Sequence, residues 1–352
     1  MQLIHLSPTA LLTPTTLPPL ALTIGNFDGV HLGHQAMLST LIKDAHQLGL
    51  AAAVMIFEPQ PREFFNPANP PARLTNLAEK TTYLAELGVD YLLVAKFDDE
   101  FRSLSAAQFA TLLHKMNAKH LVLGDDFRFG HDRVGDRDFL AKAGFSVDSL
   151  ATVIQQDVRV SSTAVRQALA AGDLTLAKAL LGREYTITGT VVHGDKIGRT
   201  LDYPTANIAL ARLMPAVQGI FAVDVLAYTP NDTSDTSDTS HSEPLNLHGL
   251  DWHSLDWHSL ATHGKTGVAG LRPCSLFGAA NIGTRPSVGG RDYRLEVHFP
   301  NFDADLYGLT LNVRFLHYLH GEINYASLDA LKDGISKDTA ALLRWREQFG
   351  DC

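Results

Sequence analysis

The chain has 352 residues, 45% of them apolar and 19% charged, with a net charge of −9. This composition excludes a mainly disordered or fibrous chain, and at roughly 150 residues per domain the length predicts two domains. No apolar run approaches the roughly 18 residues that span a bilayer, so no membrane association is expected. The opening MQLIHLSPTALLTP has neither the basic nor the apolar region of a signal peptide. Two cysteines, Cys274 and Cys352, give no disulfide framework and no zinc pattern, so a reducing cytoplasm is the expected location. The acidic balance disfavours nucleic acid, which needs a basic footprint, but leaves local nucleotide binding open.

The first half alternates between strand and helix signals. Residues 21–25 are a short apolar run, and residues 33–48 place Met37, Leu38, Leu41, Ile42, Ala45 and Leu48 at helical spacing. Residues 51–57 (AAAVMIF) read as a buried strand, 78–87 as a helix and 91–97 as a strand. Ser105 caps a predicted helix to about residue 116, and 120–124 is strand-like. This rhythm predicts a parallel α/β sheet with its site at the carboxyl ends of the strands. After residue 181 the pattern changes. Segments 185–194, 219–228, 276–283, 294–300 and 309–319 are β-branched and aromatic, separated by Gly and Pro turns, which predicts an antiparallel barrel or sandwich. A helix from a Ser327 cap to about residue 345 closes the chain, with Gly334 as a weak point. The expected domains are 1–182 and 183–352.

Residues 229–265 interrupt the second domain and carry a net −5 of the charge. DTS repeats three times over 232–240 and LDWHS twice over 250–259, which reads as an exposed low-complexity hairpin insertion. His248, His253, His258 and His263 recur every five residues, a period that keeps no helix face, and the duplication explains it without a metal.

The stretch TIGNFDGVHLGHQAML (23–38) runs from a strand through Gly25 and Gly29 to His31-Leu32-Gly33-His34 at a helix start. A helix N-terminus offers free N–H groups to an anion. Two imidazoles there can donate to phosphate oxygens, while Gly33 lets the backbone approach. VSSTAVR (160–166) is either a second phosphate site at a helix start or a capping run with a solvated arginine. The Asp125-Asp126 pair is either a ligand contact or a loop cap, and Phe127 and Phe129 either border a ligand or belong to the core.

HxGH resembles the signature of the nucleotidylyltransferase superfamily. GNFDGVHLGH, FEPQPREFF (57–65), GDDFRFG (124–130) and VSSTAVR, in that order, are similar to the adenylyltransferase module of the bacterial FAD synthetase family. The resemblance implies a doubly wound, Rossmann-like domain that joins FMN to the α-phosphorus of ATP, releasing pyrophosphate. Both partners are anionic, so the reaction needs positioning and charge neutralisation rather than a covalent nucleophile. By resemblance His31 and His34 act on the triphosphate. Gly25, Phe27, Asp28, Gly33, Ser161, Ser162, Thr163 and Arg166 bind ATP, and Asp126, Phe127 and Phe129 lie by the flavin.

In the second half, GTVVHGDKIGRTLDYPTANI (189–208) combines a glycine-rich cationic turn with Pro204-Thr205-Ala206-Asn207, whose hydroxyl and amide oxygens suit Mg²⁺. Taken singly, such pieces are ordinary in β proteins. Together with GIFAVDV (219–225), AANIGTRPSVGG (279–290) and LEVHFPNFDADLYG (295–308) they resemble riboflavin kinase. That implies a β-barrel kinase domain moving the ATP γ-phosphoryl group to riboflavin. Thr205 and Asn207 then hold the metal, Lys196 and Arg199 hold phosphate, and Glu296 orients or deprotonates the ribityl hydroxyl. Arg285 is expected to brace the barrel or shape the flavin pocket. Asp202 stands where that family has glycine, a departure that bears on kinase efficiency. The resemblance as a whole is to bacterial bifunctional riboflavin kinase/FMN adenylyltransferases, with ATP, riboflavin and FMN as substrates. The alternatives are a chain whose kinase half is impaired and a flavin-binding regulator.

Overall fold

The computed structural model describes residues 1–6, 17–150, 152–194, 203–228, 276–287, 290–300, 302 and 305–349. Residues 229–265 with their histidine tract, Lys196, Arg199, Asp202, Cys274 and Cys352 lie outside these, as does the side chain of Arg285. The chain forms two compact units. One comprises Met1–Ala171, Thr175–Arg183 and Arg212–Ala216; the other comprises Gly172–Leu174, Glu184–Ala211 and Val217–Cys352. The short return of 212–216 to the first unit has no signature in local composition.

The first unit runs β1 (Gln2–Leu6), β2 (Leu20–Ile24), α1 (Leu32–Leu48), β3 (Ala51–Glu58), α2 (Pro61–Phe65), α3 (Leu77–Glu86), β4 (Tyr91–Lys96), α4 (Asp99–Arg102), α5 (Ala106–Lys115), β5 (Ala118–Gly124), α6 (Arg137–Lys142) and β6 (Ser146–Leu150). A two-stranded ribbon, β7 (Ile154–Gln155) with β8 (Val158–Arg159), leads to α7 (Ser162–Ala170) and α8 (Leu174–Leu181). Six strands form a parallel sheet in the order β1-β4-β3-β2-β5-β6. Its central strands are apolar on both faces because helices cover both. Alternation sends Leu20, Leu22, Ile24, Ala53 and Met55 into a core with Phe109 and Leu113 of α5. Ala21, Ala52, Val54 and Ile56 enter the opposite core with Leu38, Leu41 and Ala45 of α1.

The second unit contains β9 (Thr186–Val192), β10 (Thr205–Ile208), β11 (Gly219–Tyr228), β12 (Leu276–Ser287), β13 (Gly290–His298) and β14 (Thr310–His320). They close an antiparallel barrel in the order β10-β13-β12-β11-β14-β9, which decides between barrel and sandwich. Ile187, Phe221, Val223, Ile282, Leu295, Val297, Val313 and Phe315 are buried. The buried Leu295 and Val297 leave Glu296 and His298 on the other face of β13. A C-terminal helix, Leu328–Phe349, starts where Ser327 Oγ accepts from Ala330 N at 3.1 Å. Gly334 is a packing position in this helix. A Cβ there would lie 2.2 Å from the Tyr325 hydroxyl, so the missing side chain is what lets Tyr325 lie against the helix.

Candidate active sites

In the first unit the chain reverses its direction of strand addition at β2, and the loop after β2 sits at that switch point. Within it Phe27 (φ 48°), Gly29 (φ 84°) and Val30 (φ 40°) are left-handed. For phenylalanine, and more so for β-branched valine, this conformation is strained and persists only if the surroundings enforce it. They do. Asp28 accepts from Leu74 N (3.2 Å), Thr75 N (3.0 Å) and Thr75 Oγ1 (3.2 Å), while Gly29 N donates to Thr75 Oγ1 at 3.0 Å. Arg183 donates to Gly29 O (2.8 Å) and Val30 O (3.2 Å), and Gln35 to Val30 O (2.9 Å).

The loop delivers His31 as the N-cap of α1, where its Nδ1 accepts from His34 N at 3.3 Å. The ring proton of His31 therefore sits on Nε2. The two imidazoles stack at 3.7 Å, and Phe27 lies 4.7 Å from His34. A Cβ on Gly33 would meet the His31 ring at 3.2 Å, and one on Gly25 the Phe27 ring at 3.3 Å. Burial pushes the His31 pKa down to about 4 against the pull of Asp28, and burial holds His34 well below its ordinary value. Both rings are neutral at pH 7, so they offer N–H groups to an anion rather than charge.

VSSTAVR enters this site from α7. Ser161 caps the helix by accepting from Ala164 N at 3.1 Å, and Thr163 is exposed in its first turn. Ser162 Oγ donates to Asp28 O at 2.9 Å. Arg166 donates from Nε to Ala72 O and from Nη2 to Asp28 Oδ2, each at 2.5 Å. The side chains of Phe27 (1% exposed) and Asp28 (2% exposed) are buried within the loop, where Asp28 holds the backbone of Leu74 and Thr75 and Phe27 packs on His34.

Cations that the sequence reading passed over lie beside this site. Arg73 binds Glu58 (2.9 Å) and Glu63, and Arg212 binds Glu79 at 2.6 Å. Burial opposes the charge on Arg73, but its hydrogen bonds to the Glu63 and Glu58 carboxylates outweigh it and raise its pKa. Lys80 is fully buried; its Nζ lies 3.9 Å from Glu58 and makes no hydrogen bond to the described residues. Burial lowers its pKa, opposed by Asp28 and Glu58. The signal was RLT and EK after the FEPQPREFF stretch, which only the folded chain brings to Asp28.

A neighbouring cavity of about 250 Å³ is lined by Phe57, Phe65, Phe97, Phe101, Phe127 and Phe129, with Arg128 at its wall. Phe127 stacks on Phe129 at 5.7 Å, and Phe129, 7% exposed, also belongs to the core with Phe109. Phe129 is thus a core residue that also lines the cavity, and Phe127 packs against that core. Asp126 is on the exposed turn after β5, 3.7 Å from Arg159. Elsewhere in this unit, His120 on β5 lies between Asp44 (3.3 Å) and Asp148 (3.7 Å).

On the barrel, strand register assembles the second site. Asn207 of β10 is paired with Glu296 of β13, which is paired with Asn281 of β12. Thr205, His298 and Ala279 form the next row in the same way. Residues two apart share a face, so Thr205 and Asn207 stand beside Glu296 and His298. A Cβ on Gly194 would lie 2.4 Å from the Asn207 amide, so glycine lets the segment just after β9 close against it. His298 Nδ1 donates to Pro204 O at 3.0 Å, fixing the start of β10. A cavity of about 280 Å³ opens on this face, lined by Thr205, Asn281 and Glu296 from the barrel and by Leu331, Ile335 and Asp338 from the C-terminal helix. Asn281, His320 and Asp338 were not singled out in the sequence.

Comparison with known proteins places both halves. Residues 13–164 match the FAD synthetase family model and residues 181–346 the riboflavin kinase model. The chain is 43% identical over 335 residues to the bifunctional riboflavin kinase/FMN adenylyltransferase of Escherichia coli K12, covering 94% of this chain and 92% of that one. The chain belongs to this family. It is a bifunctional enzyme, riboflavin kinase and FMN adenylyltransferase in one polypeptide. The Pseudomonas fluorescens relative of the same description is 43% identical, covering 91% of this chain and 90% of its own. A crystal structure described as a macrolide-efflux protein from Streptococcus pneumoniae superposes with a TM-score of 0.69 at 27% identity, over 97% of this chain and 99% of that one. No helix among the described residues is long and apolar enough to cross a membrane.

Proposed function

We infer that riboflavin is phosphorylated on the outer face of the barrel and that FMN is adenylylated at the switch point of the parallel sheet. The observation that carries the first assignment is the pair of register rows Asn207–Glu296–Asn281 and Thr205–His298–Ala279, from which Glu296, Asn281, Thr205 and His298 line one cavity. Glu296 takes the proton from the ribityl hydroxyl as its oxygen attacks the γ-phosphorus of ATP, and ADP leaves. The hydroxyl of Thr205 and the amide oxygen of Asn207 are hard donors beside a carboxylate, a set that fits Mg²⁺. When bound, Mg²⁺ neutralises phosphate charge; Thr205 and Asn207 would hold it, with Lys196 and Arg199 assigned to the phosphates.

In the other unit a phosphate oxygen of FMN attacks the α-phosphorus of ATP and pyrophosphate leaves. His31 donates from Nε2 and His34 from its ring N–H, next to the free N–H groups of α1. Gly25 and Gly33 keep the backbone clear, and Ser161 and Thr163 present the start of α7. Asp28 and Arg166 act by holding the loop. Asp126, Phe127 and Phe129 border the flavin at the aromatic cavity. The working location is the cytoplasm.

The test is the full chain with riboflavin, ATP and Mg²⁺, followed by chromatography of the flavins. FAD is the expected product. Riboflavin left unchanged while supplied FMN is converted would identify an impaired kinase half.

A further inference from the structure

A histidine and an aspartate that line the barrel cavity with Glu296 are bonded to each other. His320 ends β14, and its Nε2 lies 2.8 Å from Asp338 Oδ1 on the C-terminal helix. Its Nδ1 lies 2.7 Å from the carbonyl oxygen of Gly321. A carboxylate and a carbonyl oxygen only accept, so both contacts are hydrogen bonds only when both ring nitrogens carry protons. A neutral ring would set a lone pair against an acceptor at under 3 Å. The arrangement is therefore built for the imidazolium.

The tie links two residues 18 apart in sequence, and the cavity wall lies between and around them. Glu322, Ile323 and Tyr325 come from the segment it encloses, and Leu331, Ile335 and Thr339 from the helix it anchors. The other titratable groups on this cavity are Tyr203 just before β10, Glu296 and His298 from β13, Glu322 and Tyr325 from the enclosed segment, and Asp338 from the helix. The carboxylates among them favour a cation at His320. Burial alone would lower the His320 pKa, but Asp338 and the Gly321 carbonyl outweigh it and raise it.

Resting on the assignment of this cavity to riboflavin, we propose that His320, as a cation, is the positioning residue that holds the helix and its preceding segment in place for the flavin. As the ring loses its proton the tie weakens, and more riboflavin is needed to reach the same rate. Chemistry at Glu296 is not touched, so the effect falls on KM and not on kcat.

The experiment is the KM for riboflavin between pH 6 and 8.5 in the full-length enzyme, with conversion of supplied FMN to FAD as a control for the other unit. In the wild type KM rises about fivefold with pH, the size expected for a partly exposed charged hydrogen bond. His320→Gln shows the high KM throughout. His320→Arg, a permanent cation, shows a low and flat KM, which a purely steric role for the imidazole would not produce. The proposal is overturned if His320→Gln keeps the wild-type rise, or if His320→Arg does, since another group would then be titrating. Glu296→Gln separates the two levels of inference. If it removes FMN formation while the His320 variants follow the wild type, the tie fails and the cavity assignment stands. If it leaves FMN formation intact, the cavity assignment fails.

Discussion

Replacing Asp28 by asparagine decides whether this carboxylate supports the loop or contacts ATP. The substitution keeps the volume but turns one acceptor into a donor. Oδ1 accepts from Leu74 N, Thr75 N and Thr75 Oγ1, and Oδ2 accepts from Arg166 Nη2 at 2.5 Å. Whichever way the amide is turned, its NH₂ faces an N–H group, and the Arg166 guanidinium loses a partner that is 2% exposed. Breaking a buried pair in this way costs about 3–5 kcal/mol. The strained residues Phe27 and Val30 and the left-handed Gly29 between them depend on the same contacts, so the loss falls on the loop. Hydrogen exchange of the free enzyme reads it directly: amides in segments 26–35 and 72–80 should exchange roughly a hundred- to several-thousandfold faster, with the barrel strands unchanged. FAD formation from FMN should collapse while FMN formation from riboflavin continues. Unchanged exchange without ATP, combined with weaker ATP binding, would refute the supporting role and return Asp28 to the ligand.

The remaining expectations separate the two units. Glu296→Gln should lower FMN formation by about 10²–10⁴-fold, the usual contribution of a positioned general base, with FMN adenylylation intact. His31→Ala should do the reverse in a flavin chromatography assay. Gly29→Ala should destabilise the first unit by about 1–3 kcal/mol, because φ is 84° and the new methyl would lie 2.7 Å from Leu74 Cδ1; exchange of the same loop amides reports it.

The sheet and barrel were legible where burial is two-sided or strictly alternating. Leu20–Ile24 and Ala51–Glu58 are apolar because helices cover both faces, and β13 alternates because one face is barrel interior. The edge strands β1 and β6 escaped because their residues are half exposed and polar residues interrupt them. β10 escaped because Pro204 and a four-residue length read as a turn, although pairing with β13 makes it a strand. The motifs mark Asp28 and Arg166 as residues that contact ATP, but they do not announce the bonds these two make in the folded chain. Their partners are Leu74, Thr75 and Ala72, more than forty residues from either motif, and only folding shows that they face each other. The His320–Asp338 tie has the same character, since a histidine and an aspartate 18 apart carry no local pattern.

The two units respond to pH in opposite directions, and the signs follow from their histidines. His31 titrates near 4 in the folded chain against about 6.5 when unfolded, so between these values the unfolded chain binds more protons. Acid therefore destabilises the first unit, by about 3 kcal/mol once the pH is below 4, and His34 acts in the same sense. Above pH 6.5 that penalty is absent. His320 is raised, so its stabilisation of the second unit is complete below its unfolded pKa and disappears as the pH rises through the folded one. Thermal unfolding followed by exchange at 26–35 and at 320–340 should show the sheet loop weakening from pH 6.5 downwards and the helix tie weakening as the pH rises from the same point. If both segments weakened together at either end, the histidines would not be the controlling groups, and the neutral pair at α1 would have to be reconsidered as a charged one.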